Sequence, residues 1–150
     1  MKRANDALVA DIPPNMFVTC FYGVLDPKSG SFAYANAGHD LPYLRRRGGD
    51  AEELRARGLP LGLMPGMGYE EKEIILGAGD RALFYSDGLV EAHNPEGEMF
   101  SFPRLQALVA KHGEERSLVD FLIEELRSFT GDGWEQEDDI TLVTLQRSAQ

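Results

Sequence analysis

Three runs of apolar residues organise the chain, and each meets a turn signal at one end. From Met16 to Leu25 the sequence Met-Phe-Val-Thr-Cys-Phe-Tyr-Gly-Val-Leu is apolar on both faces. It predicts a strand covered on both sides, closed by the turn Asp26-Pro27-Lys28-Ser29-Gly30. A hairpin partner follows, with Phe32 and Tyr34 on one face and Ala33 and Ala35 on the other, so the aromatics pack inward. The second run, Arg81 to Tyr85, predicts a central strand that delivers Asp87 to the rim of its sheet, where Gly88 permits the turn. The third, Ile140 to Leu145, alternates with β-branched residues and predicts the final strand.

Weaker patterns fill the intervals. Leu41-Pro-Tyr-Leu-Arg-Arg and Glu53-Leu-Arg-Ala predict short strands around a Gly48-Gly49-Asp50 turn, and Tyr69 to Leu76 predicts an edge strand. Leu59 to Gly68 is a Gly/Pro connector that carries apolar side chains but no metal donor. Asn5 to Ala10 predicts the end of a helix, stopped by Ile12-Pro13-Pro14. A helix begins near Ser101, with Pro103 in its first turn and a stripe of Leu105, Leu108 and Val109, and stops at Gly113. Another begins at the capping sequence Ser117-Leu-Val-Asp120 and presents Phe121, Leu122, Leu126 and Phe129 at helical spacing. The irregular stretch from Glu91 to Arg104 reads as a lid beside Asp87, with His93 as a further metal-donor candidate.

Length and composition change this picture only by bounding it. At 150 residues and 43% hydrophobic content the chain supports one core, hence a single domain over 1–150, with 1–15 as a helix remnant and linker. No apolar run reaches a membrane span and no signal-peptide core follows Met1, so the expectation is a cytoplasmic protein with no membrane partner. A net charge of −10 argues against nucleic acid, which needs a concentrated positive surface. Arg45-Arg46-Arg47 is the one basic run and reads as a solvated turn. Cys20, the single cysteine, excludes an intrachain disulfide and a thiolate zinc cluster, and reads as a buried inert thiol.

The candidate chemistry lies in two acidic stretches. Asp87 leaves a strand, whereas Asp138 and Asp139, at the end of Glu135-Gln-Glu-Asp-Asp, enter one; antiparallel neighbours would bring all three to the same end of a sheet. Clustered carboxylates suit hard divalent cations, which take oxygen ligands and keep several waters. A solvated Asp-Gly turn and an acidic turn before an edge strand are the plainer alternatives. Successive strand residues face opposite ways, so only one of Asp138 and Asp139 can point at a given ion. His39, on a loop after Gly38, is a general-acid candidate and equally a structural hydrogen-bonder. A metal-free two-carboxylate hydrolase needs an aromatic sugar groove, and the single Trp134 gives that little support.

Taken together, Ser86-Asp87-Gly88 with Glu91-Ala92, Asp138-Asp139-Ile140-Thr141, and Asn36-Ala37-Gly38-His39 resemble the bacterial stage II sporulation E-type phosphatases. These are metal-dependent type 2C-like serine/threonine phosphatases. The resemblance runs from about Phe17 to the last strand, the C-terminal portion of the catalytic domain, and the Pro60-Leu61-Gly62 segment shares it. It implies an α+β fold, an antiparallel β-sandwich flanked by helices, here lacking the N-terminal strands and helices. It also implies two Mn²⁺ or Mg²⁺ ions that activate a water, with Asp87, Gly88, Asp138 and Asp139 as the metal-site residues. The implied substrate is a phosphorylated regulatory protein of the anti-anti-sigma type. The family often has Gly where Ser101 stands, and broader type 2C-like relatives have Asp where His39 stands. The family's first Gly-Asp metal motif has no counterpart in the chain, so the alternative is a catalytically incompetent fragment, or pseudo-phosphatase, acting as a regulatory binding module. Uncovered strand faces would favour a homodimer.

Overall fold

The computed structural model describes residues 1–113, 116–133 and 138–148. Among these described residues it is a mixed α+β protein with four helices and two antiparallel sheets. The chain separates into two compact units, Met1–Leu41 with Leu54–Gly77, and Pro42–Glu53 with Ala78–Gln150.

The first unit opens with α1 (Lys2–Asp11), longer at its N-terminal end than the sequence pattern indicates. Asn5 on this helix is fully buried. Its amide donates to the Met64 carbonyl at 3.0 Å and its side-chain oxygen accepts from Gly62 N at 3.0 Å, so one side chain fixes the 62–64 connector to the helix. The sheet of this unit has the order β1 (Cys20–Leu25), β2 (Ser31–Ala37), β5 (Lys72–Ile75). The hairpin register pairs Leu25 with Phe32 and Cys20 with Ala37. Phe32 and Tyr34 are buried as their alternation predicts, and Phe21 stacks on Tyr34 at 5.5 Å. Gly23 is needed because a Cβ there would run into the Phe32 ring. β5 lies at a sheet edge, as expected.

β1 corrects the expectation of a strand covered on both sides. It starts only at Cys20, preceded by an isolated bridge between Val18 and Leu61, and it is an edge strand. Its second face carries Tyr22 and Val24, 58% and 53% exposed. Apolarity on both faces records β-propensity as well as burial, and here propensity accounts for that face. Cys20 is correspondingly half-buried rather than enclosed.

The sheet of the second unit has the order β4 (Ala51–Glu53), β3 (Tyr43–Arg45), β6 (Arg81–Tyr85), β7 (Leu142–Gln146). β6 is central, and β7 pairs antiparallel to it with Tyr85 opposite Leu142. β4 begins two residues earlier than the apolar pattern at Glu53-Leu54 indicates, in register with β3. α2 (Gly88–Glu91) follows β6 directly. α3 (Phe102–Lys111) crosses β3 and β4, tied by Gln106 Nε2 to the Ala51 carbonyl and by Arg45 Nε to the Ala110 carbonyl. α4 (Leu118–Thr130) is capped by Ser117 Oγ, which accepts from Asp120 N. The fully buried Leu83, Leu89, Leu105 and Leu122 share one core cluster, each contributing roughly 1.5–3 kcal/mol of transfer free energy.

The Arg45–Arg47 run is not a plain solvated turn. Arg46 Nη1 donates to the buried Asp80 carboxylate at 2.7 Å, and Arg47 N donates to its other oxygen at 3.0 Å. A carboxylate in that position requires such partners. Asp80 raises the Arg46 pKa further, so the guanidinium stays charged. Among the described residues no helix is long and apolar enough to cross a membrane.

Candidate functional site

Asp87 sits where β6 ends and α2 begins, and it is exposed. As N-cap residue its Oδ1 accepts from Gly88 N at 3.0 Å, a favourable position for a negative charge on a helix terminus. Ser86 precedes it. Its backbone N donates to the Thr141 carbonyl at 3.1 Å, its Oγ donates to the Asp139 carbonyl at 2.9 Å, and Thr141 N donates back to Oγ at 2.9 Å. These three bonds continue the β6–β7 ladder beyond its last backbone pair.

The two acidic stretches therefore meet, as their order along antiparallel strands predicts. Gly88 shows how closely. A Cβ built on it would lie 2.7 Å from the Asp139 carbonyl oxygen, 3.2 Å from its carbon and 3.3 Å from the Asp138 carbonyl carbon. The turn after Asp87 is thus packed against the 138–139 backbone, and only a residue without a side chain permits it. Asp138 Oδ1 accepts from Asp139 N at 2.7 Å, which fixes the Asp138 carboxylate over its own turn. Asp138 and Asp139 are both exposed. Glu135, Glu137 and Trp134 lie outside the described residues.

In chemical kind, the donors suit a hard divalent cation: carboxylate oxygens on two turns held together by backbone packing. In number they do not complete a cage. Among the described residues no group of three or more His, Cys, Asp or Glu could hold a metal ion.

His39 belongs to the first unit. Its Nδ1 lies 3.2 Å from Thr19 Oγ1, and its loop is clamped by Asn36, whose amide donates to the His39 carbonyl and whose oxygen accepts from His39 N, each at 2.8 Å. Gly38 adopts φ +70° and packs against Pro60. His93 forms an isolated bridge with Met99, within a turn in which Asn94 Oδ1 accepts from both Glu96 N and Glu98 N. Sequence reasoning gave no separate role to Ser86 or Asn36. The available signal was a short hydroxyl or amide side chain beside a strand end, the type that bonds to local backbone.

Residues 1–148 match the family model described as Stage II sporulation protein E (SpoIIE), and the chain belongs to that family. It is 31% identical over 134 residues to Protein IcfG of Synechocystis, covering 89% of this chain and 21% of that protein. It is 28% identical over 150 residues to Phosphoserine phosphatase RsbU of Bacillus subtilis, covering 98% of this chain and 44% of that one. The chain thus spans less than half the length of these curated relatives. Among solved structures, the RsbU and RsbW domains of Rv1364c from Mycobacterium tuberculosis align with a TM-score of 0.75 and 32% identity, covering 96% of this chain and 40% of that one. The SiaA-PP2C domain of Pseudomonas aeruginosa aligns with a TM-score of 0.76 at 19% identity, covering 94% and 56%, which supports the fold alone.

Proposed function

We propose that the chain is the larger part of a metal-dependent serine/threonine protein phosphatase domain in bacterial signalling. Its substrate class is a phosphoserine or phosphothreonine on a cytoplasmic regulatory protein of the anti-anti-sigma type. The observation that carries this reading is the packing of the Asp138–Asp139 backbone on Gly88, which keeps three carboxylates on two abutting turns. The 28% identity to a phosphoserine phosphatase over the whole chain supports the reaction class.

Asp87 and Asp138 would hold Mn²⁺ or Mg²⁺, with Asp139 and Gly88 completing the turn that carries them. Such ions, when bound, supply a water of lowered pKa and offset the charge on the phosphoryl oxygens. The chain's own contribution is to orient. Gly88 N directs the Asp87 carboxylate, Asp139 N directs that of Asp138, and the exposed position of both leaves them open to a protein-borne phosphate. That need for a cation follows from charge, since a protein of net −10 otherwise repels a phosphate ester.

A second reading is favoured by the lack of a three-donor cluster among the described residues. In it the same surface binds a phosphorylated regulator without hydrolysing it. Phosphate release from a phosphoserine peptide, measured with Mn²⁺ and with EDTA, separates the two. The phosphatase reading expects release with Mn²⁺ only, lost in Asp87→Asn and in Asp138→Asn with unchanged melting; peptide binding without release in any condition supports the second reading instead.

A further inference from the structure

We propose that Ser86 is the positioning residue that sets the distance between the two halves of the acidic site. The inference rests on the metal-site reading of Asp87 and Asp138. The last backbone-paired rung of the β6–β7 ladder is Tyr85 with Leu142, two residues short of Asp87 on one strand and three residues short of Asp139 on the other. Across that gap one backbone bond remains, from Ser86 N to the Thr141 carbonyl. The return bond is made by a side chain: Thr141 N donates to Ser86 Oγ at 2.9 Å, and the same hydroxyl donates onward to the Asp139 carbonyl at 2.9 Å.

A serine hydroxyl has one hydrogen and two lone pairs, so it can accept from Thr141 and donate to Asp139 at once. Neither alanine nor valine can do either. The Asp139 carbonyl that Ser86 holds is also the atom lying 2.7 Å from the would-be Gly88 Cβ. Ser86 therefore secures the turn on one side of Asp87 while Gly88 admits it on the other, and Asp87 stands between them in sequence. Removing the hydroxyl leaves Gly88 packing as the remaining restraint. Ser86 is only half-buried, so water can take up the freed Thr141 N–H and Asp139 C=O without an orphaned buried group. The fold survives while the carboxylates lose their fixed separation.

Calorimetric Mn²⁺ titration of the parent chain and of Ser86→Ala, Ser86→Thr, Ser86→Val and Asp87→Asn tests this. Threonine and valine have the same shape and differ in the hydroxyl. Removal of an outer-shell partner typically weakens metal affinity about 10- to 100-fold. The expected result is a dissociation constant raised by about tenfold or more in the Ala and Val variants, restored to within about threefold of the parent in the Thr variant, with melting temperatures little changed. A Ser86→Ala chain that is unfolded, or that binds Mn²⁺ as the parent does, or a Thr variant no better than Val, overturns the positioning role. Absence of saturable binding in the parent, or unchanged binding in Asp87→Asn, refutes the metal reading itself and the inference with it.

Discussion

Replacing Gly88 with alanine sets a helix preference against a backbone contact. Gly88 is the first residue of α2 and has no positive φ, so alanine fits its conformation, and helix propensity alone favours the change by about 1 kcal/mol. Against it, the new Cβ would lie 2.7 Å from the Asp139 carbonyl oxygen, where ordinary contact begins at 3.4 Å, so that oxygen must retreat by 3.4 − 2.7 = 0.7 Å. The neighbours are main-chain atoms of Asp138 and Asp139, not the end of a flexible side chain. Overpacking of this kind costs about 1–3 kcal/mol, so the steric term matches or exceeds the propensity gain and the net loss is up to about 2 kcal/mol. For a chain of this size that lowers the melting temperature by up to about 8 °C. The functional effect is larger, because the displaced backbone carries Asp138 and Asp139: Mn²⁺ affinity should fall about 10- to 100-fold. Thermal melts and a Mn²⁺ titration of Gly88→Ala read both quantities. A variant at least as stable as the parent, with unaltered Mn²⁺ affinity, would refute the reasoning.

Ser101 is held at φ 72°, ψ 153°, a region populated almost only by glycine, and its side chain makes no cap bond to α3. Ser101→Gly should therefore stabilise the chain by about 1 kcal/mol in chemical denaturation. His112 is buried, its Nδ1 2.8 Å from the Arg81 guanidinium and so the acceptor in that bond, and burial first, then the charges of Arg81, Arg45 and Arg116, push its pKa down. The Ser117 carbonyl pulls weakly the other way without a hydrogen bond to Nε2. The unfolded chain then takes up the proton first on acidification. Stability from this group is full above pH about 6.5 and is lost as the pH falls from there through the lowered folded pKa. Denaturation midpoints from pH 8 to pH 5 should show that loss in the parent and less of it in His112→Gln. Asn5→Ala removes both bonds to the 62–64 connector, each worth about 0.5–1.5 kcal/mol, so the chain should lose about 1–3 kcal/mol, with faster hydrogen exchange at Gly62 N as the local signature.

The strand that ends at Asp87 and the strand that follows Asp139 were legible because both carry dense β-formers, and their antiparallel order alone brings the carboxylates to one sheet end. The α3 and α4 boundaries were legible for a similar reason: Pro103 and Ser117 mark starts by chemistry that acts within one turn. β1 was over-read, since Tyr22 and Val24 satisfy strand propensity whether or not anything covers them. The anchoring role of Asp80 has no signal in the sequence because its partners, Arg46 and the Arg47 backbone, lie more than 30 residues away, a distance that periodicity cannot see. The same holds for the Ser86 hydroxyl, whose two partners lie 53 and 55 residues away. Ser101 was visible only by resemblance: a residue that the family often replaces by glycine proves to occupy a glycine conformation.

The central claim is that Asp87 and Asp138 share a divalent cation, and anomalous diffraction from crystals soaked in Mn²⁺ tests it most directly. The account predicts an anomalous peak at coordination distance, about 2.0–2.3 Å, from carboxylate oxygens of both residues. A peak elsewhere on the protein, or none between Asp87 and Asp138 at saturating Mn²⁺, would contradict it.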